Sequence, residues 1–112
     1  AADPTNLSAG SQLKQLLTKH PKQPYLHASL GNFYARRNDW SAAQPAYFEA
    51  FALENKNAEY AYNLAVSLDQ LGKSDIAANY YEKALALHDN HPTQFNKSDV
   101  ARRLKEIKGA NQ

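Results

Sequence analysis

"AYFEAFAL" (Ala46 to Leu53) and "YYEKALAL" (Tyr80 to Leu87) place Tyr47 over Tyr81, Ala50 over Ala84, Ala52 over Ala86 and Leu53 over Leu87, each pair 34 residues apart. The register holds upstream, where Leu30 and Gly31 fall on Leu64 and Ala65, and Ala43 falls on Ala77. A fixed period of this length marks a chain built from stacked supersecondary units. Each unit contains two apolar patterns of helical spacing, separated by "RND" (Arg37 to Asp39) or "LGK" (Leu71 to Lys73). Such polar or glycine turns end one helix and begin the next. The unit is therefore a helical hairpin.

One hairpin cannot bury itself. In the second unit Tyr60, Leu64, Leu68 and Leu71 form one stripe, while Ile76, Ala77, Tyr80, Tyr81, Ala84 and Leu87 form another. Gly31, Ala43, Ala50, Ala65, Ala77 and Ala84 are small enough for two helices to approach closely, with aromatic rings filling the space beside them. The remaining faces need a neighbouring hairpin, so the repetition is a stacking code. Backwards, Ala9, Leu13 and Leu16 precede Ala43, Tyr47 and Ala50 by one period and read as the second helix of a truncated unit, which ends at His20-Pro21. Forwards the code lapses at Ser98 and Asp99. There Val100, Leu104 and Ile107 line one side of a last helix, and Arg102, Arg103, Lys105, Glu106 and Lys108 form a water-facing remainder, the pattern of an end cap. Helices are predicted near residues 8–19, 24–36, 40–53, 58–70, 74–87 and 98–108. Pro45 conflicts locally, since it removes one hydrogen bond from the third helix and should bend it.

Composition narrows the possible functions. A chain of 112 residues, 43% hydrophobic and 21% charged, is one globular domain that buries about 65% of its unfolded surface. It has no cysteine, which removes disulfides and thiolate metal or redox sites. A formal charge of +2 gives a weaker field than duplex DNA or an anionic membrane selects. No apolar run reaches the span of a bilayer, and no secretory leader pattern is present. Methionine is absent even at position 1, which reads as a processed chain or a fragment of a longer protein, with cytoplasm and periplasm both open.

The set of residues resembles the tetratricopeptide repeat family. The resemblance rests on the 34-residue period, Leu-Gly or Leu-Ala in the first helix, Tyr34 or Leu68 four later, Ala43 or Ala77 at the start of the second helix, then Tyr47 or Tyr81 and Ala50 or Ala84. It covers about Leu7 to His91. His27 and Ala61 replace the family's tryptophan, and Asn55 and Asp89 replace its terminal proline, which is present at Pro21. The period is also one residue shorter than that of the RNA-reading pentatricopeptide repeats. The resemblance implies an all-α, right-handed superhelix of antiparallel hairpins with a C-terminal capping helix. The divisions are a half-repeat at 7–21, repeats at 24–57 and 58–91, and cap and tail at 92–112.

The same resemblance implies a concave groove lined by the first helix of each hairpin, where a peptide or partner protein binds. Its positions carry over as Tyr25, Ala28, Asn32 and Arg36 from one repeat and Glu59, Tyr62, Asn63, Val66 and Asp69 from the next, with Lys97 beyond. Asparagine amides both donate to and accept from a peptide backbone, which gives Asn32 and Asn63 an orienting role; the structural alternative is that Asn63 only packs or caps. In relatives that hold chaperone carboxylates, basic residues stand where this chain has Ala28 and Thr93, so only Lys97 of that clamp is retained. Tyr25 and Tyr62 are the tyrosines read as ligand contacts, the others as core.

Enzymatic readings find no support. No Ser-His-Asp set, phosphate loop or paired carboxylates can be discerned, and no cofactor is implied. His88, Asp89 and His91 could ligate zinc, but nothing orients them. The function expected is a non-enzymatic interaction and assembly module without nucleic-acid partners or membrane insertion. The "NAEYAYNLAVSLDQLGK" style is similar to bacterial pilus-assembly or secretion versions of the repeat. The alternative is homo-oligomerisation through exposed terminal repeat edges.

Overall fold

Two apolar stripes in each 34-residue unit require two facing surfaces, and pairs of packed helices supply them. The computed structural model describes residues 4–88 and 93–110, with side chains from Ala9 onward. Six helices follow in order: α1 (Pro4–Lys19), α2 (Pro24–Arg36), α3 (Trp40–Leu53), α4 (Ala58–Gln70), α5 (Ser74–His88) and α6 (Lys97–Ala110). No strand occurs among the described residues. Packing runs along the chain, α2 on α3 and α4 on α5 forming the hairpins, α3 on α4 joining them, and α1 and α6 closing the two ends. α2, α3 and α4 have the boundaries the spacing predicts, whereas α1 begins earlier and α5 and α6 run slightly longer.

Local chemistry sets the boundaries. Asp39 caps α3 by accepting from the Ala42 amide at 3.2 Å, and Asn57 and Asn96 do the same for α4 and α6. Asn38 and Gly72, 34 residues apart, both turn into the left-handed region at φ 58° and 79°. The residues after them, Asp39 and Lys73, donate their amides back to the carbonyls of Tyr34 and Leu68, which satisfies the ends of α2 and α4. Pro45 lies inside α3, which continues unbroken to Leu53.

The core follows the repeat. Ala43, Ala50, Ala61, Leu64, Ala65, Ala77 and Ala84 are fully buried, and Val100, Leu104 and Ile107 turn inward from α6 as the end-cap pattern requires. Gly31 has no room for a side chain, since a Cβ there would lie 2.5 Å from the Tyr47 ring. Two expectations are corrected. Ile76 is 48% exposed and does not belong to the buried stripe of α5. Arg103 does not simply face water; it reaches across to Asp69 of α4.

Candidate functional site

The first helix of each hairpin aligns the candidate groove residues at helical spacing along α2 and α4. Tyr25 opens α2 and is 60% exposed. Ala28 is buried and Arg36 exposed near the helix end. Asn32 between them is half-buried, and its Oδ1 accepts a 2.7 Å hydrogen bond from the Tyr47 hydroxyl. Burial pushes the Tyr47 phenol up to about 12, against a smaller opposing effect of the Arg36 charge.

On α4 most of the same face is engaged from within the chain. The Glu59 carboxylate accepts from the amides of Gln94 and Phe95, the latter at 3.3 Å. Tyr62 stacks on the buried Phe95 ring with centroids 4.7 Å apart and planes within 12°. Burial, then the Glu59 charge, raises the Tyr62 phenol above its ordinary value. Asp69 accepts two 2.8 Å hydrogen bonds from the Arg103 guanidinium and one of 2.9 Å from the Tyr81 hydroxyl. Those Arg103 bonds, helped by Tyr81 and opposed by burial, hold the Asp69 carboxyl below its ordinary range. Burial, then the Asp69 hydrogen bond, raises the Tyr81 phenol.

Asn63 and Val66 are half-buried, and the Asn63 side-chain amide makes no hydrogen bond to another described residue. Lys97 is the exposed first residue of α6. The structure thus brings Glu59, Tyr62 and Asp69 together with Phe95 and Arg103, and leaves Tyr25, Arg36, Asn63 and Val66 as the part of the lining without such ties. Hollows elsewhere include one of about 270 Å³ on α1 and one of about 490 Å³ lined by Phe51, Asn55, Lys83, Ala86 and Leu87 of α3, α5 and the turn after α3.

Phe95 and Arg103 escaped the sequence reading. Each stands one period beyond a partner-bearing stretch, Phe95 after Ala61 and Arg103 after Asp69. A search of that spacing for complementary rather than similar residues would have found the ion pair. Of the histidine loop, Asp89 and His91 lie outside the described residues. Among the described residues no three His, Asp or Glu side chains cluster as metal ligands, and no helix is long and apolar enough to cross a membrane.

The stacked hairpins and the helix-lined face define a helical-repeat solenoid. Residues 58–91 match the model of the tetratricopeptide repeat, and the chain has the tetratricopeptide-repeat fold. The first domain of Spaghetti (RPAP3), solved with the HSP90 peptide SRMEEVD, superposes with a TM-score of 0.79 at 20% identity, over 96% of this chain and 80% of that one. The type III secretion translocator chaperone SycD of Yersinia enterocolitica superposes at 0.84 with 19% identity, over 96% of this chain and 74% of that one. MamA from AMB-1 superposes at 0.76 with 22% identity, over 91% of this chain and 52% of that one. No curated protein sequence matches the chain.

Proposed function

We propose that the domain is a non-enzymatic interaction module that holds an extended peptide or a partner protein against the α2–α4 face and serves in assembling a larger complex. The observation that carries this reading is Asn63 of α4, whose half-buried side-chain amide makes no hydrogen bond to another described residue, together with the exposed Tyr25 and Arg36 on α2. A half-buried amide without a partner is costly unless water or a ligand satisfies it, and a peptide backbone satisfies both of its ends. The Spaghetti domain binds an HSP90 peptide and SycD is a chaperone, which supports a protein partner by analogy of fold. A terminal-carboxylate clamp is a poorer match here, because Ala28 and Thr93 supply no charge. Glu59, Tyr62 and Asn32 shape the groove through their internal contacts, and Lys97 borders it. The style of the repeat, similar to bacterial pilus-assembly and secretion versions, supports an assembly of that kind.

The test places a photo-crosslinking phenylalanine analogue at Tyr25, with Lys105 as the control site, in the source's own lysate. A partner captured at Tyr25 alone supports the groove. Capture at Lys105 alone sinks it. With that partner in hand, Asn63→Ala should weaken binding about tenfold by calorimetry while leaving the melting temperature nearly unchanged. Self-association remains the second reading, favoured by the 44% exposure of Leu16 at the α1 edge; sedimentation over a concentration series decides it.

A further inference from the structure

From Pro4 to Asn38 the chain contains no aspartate or glutamate, yet it carries Lys14, Lys19, Lys22, Arg36 and Arg37. All five are exposed, and none enters an ion pair among the described residues. At the other end Arg102, Arg103 and Lys108 each hold a carboxylate. The α1–α2 hairpin therefore presents positive charge that no carboxylate among the described residues pairs with.

The same hairpin has an unfilled helix face. Gln12 and Leu16 of α1 stand one period before Ala46 and Ala50 of α3, which are 7% and 0% exposed in the α2–α3 hairpin. In α1 the equivalent Leu16 is 44% exposed, and Gln12, Gln15, Leu16 and Lys19 line the hollow of about 270 Å³. Among the described residues no helix does for α1 what α2 does for α3. We propose that this hollow docks an acidic amphipathic helix of a partner protein, its apolar stripe covering Leu16 and its carboxylates facing Lys19. The repeat register argues for a helix, since that is what packs at the equivalent place one unit later. Charge argues for acidity: Lys19 lines the hollow, and His20 and Lys22 follow it in the turn. A second copy docked face to face would set two acid-free surfaces against each other. Nucleic acid is the poorer match, because the hollow centres on a leucine and no aromatic ring lines it on which a base could stack.

The probe is a labelled synthetic helix of about 18 residues with leucines on one stripe and glutamates on its flanks, beside a twin in which glutamine replaces every glutamate. Fluorescence anisotropy should show the glutamate peptide binding about tenfold more tightly than its twin, an advantage that shrinks with added salt. Lys19→Glu and Leu16→Gln should each weaken it about fivefold, and Lys22→Glu serves as a charge variant outside the helix should α1 itself be loosened. Asn63→Ala should leave this binding unchanged, which keeps the outcome separate from that of the groove. No binding, equal binding of the twins, or indifference to all three variants overturns the proposal. So does displacement of the peptide by a single-stranded oligonucleotide of equal charge, or a dimer that Lys19→Glu strengthens.

Discussion

Tyr47 and Tyr81 occupy one place in two successive hairpins, and their hydroxyls have different uses. Tyr47 bonds to Asn32 of its own hairpin, and its ring lies where a side chain on Gly31 would be. Tyr81 bonds to Asp69, which in turn grips Arg103 of α6, while Ala65 fills the place of Gly31. The apolar part of the repeat is thus held constant while its polar part is reassigned. In the first hairpin the polar contact finishes a hairpin; in the second it fastens the end cap. Backbone register comes from shape, and the polar atoms on top of it are free to specialise.

The most disruptive change should be Asp69→Ala, which removes the two-pronged contact of Arg103, leaving it only Glu106, and takes the acceptor from the Tyr81 hydroxyl. A loss of about 2 kcal/mol is expected by thermal melt, with amide exchange rising first in α6. Uniform exchange along the chain would mean that the contact is not a local fastening. Gly31→Ala should cost about 1 to 2 kcal/mol, because crowding the Tyr47 ring outweighs alanine's better helix preference, whereas Ala65→Gly should cost about 1 kcal/mol for the opposite reason. A Gly31→Ala variant that melts no lower than the parent would show that the two rings sit alike after all. Tyr47→Phe should cost about 1 kcal/mol, and Tyr81→Phe less, since Arg103 still satisfies Asp69.

The smallest effect is a difference in pH response. Asp69 ionises more readily in the folded chain than at its ordinary value of 3.8, so its contribution is complete above that value and fades as pH falls below it. Arg103 is 41% exposed, so the pair should be worth no more than about 1 kcal/mol. Arg103→Gln should accordingly melt with a shallower acid limb than the parent. Tyr47 behaves in the opposite sense. Its phenol is raised, so its contribution is whole below 10 and is lost as pH climbs through about 12. An unchanged acid limb in Arg103→Gln would remove Asp69 from the account of acid sensitivity.

Much of this molecule can be read from spacing. The period at Tyr47/Tyr81 and Ala50/Ala84, with the turns at Asn38 and Gly72, located four helices almost to the residue, because burial and close approach repeat wherever a unit repeats. Ile76 misled because helical spacing alone does not say which edge of an apolar stripe faces the next helix. The groove was legible only as a row of positions. That Glu59 and Tyr62 are engaged by residues 94 and 95 depends on how the chain enters α6, after the period has lapsed. Arg103 looked like one more surface cation among several. Its role depends on Asp69 being brought beneath it, which identity-based comparison of units does not reveal.

The fastening of α6 has a mechanical consequence. The two ends of this solenoid are not equally strong under load. At one end α6 is riveted to α4 by a two-pronged ion pair, and Phe95 just before it stacks on Tyr62, links that reach past the helix next to it. At the other, α1 rests on α2 through the Gly10–Phe33 approach and the Lys14–Tyr34 contact, with no such cross-brace described. Tension applied to both termini would therefore peel α1 away first and leave the hairpins from α2 onward standing.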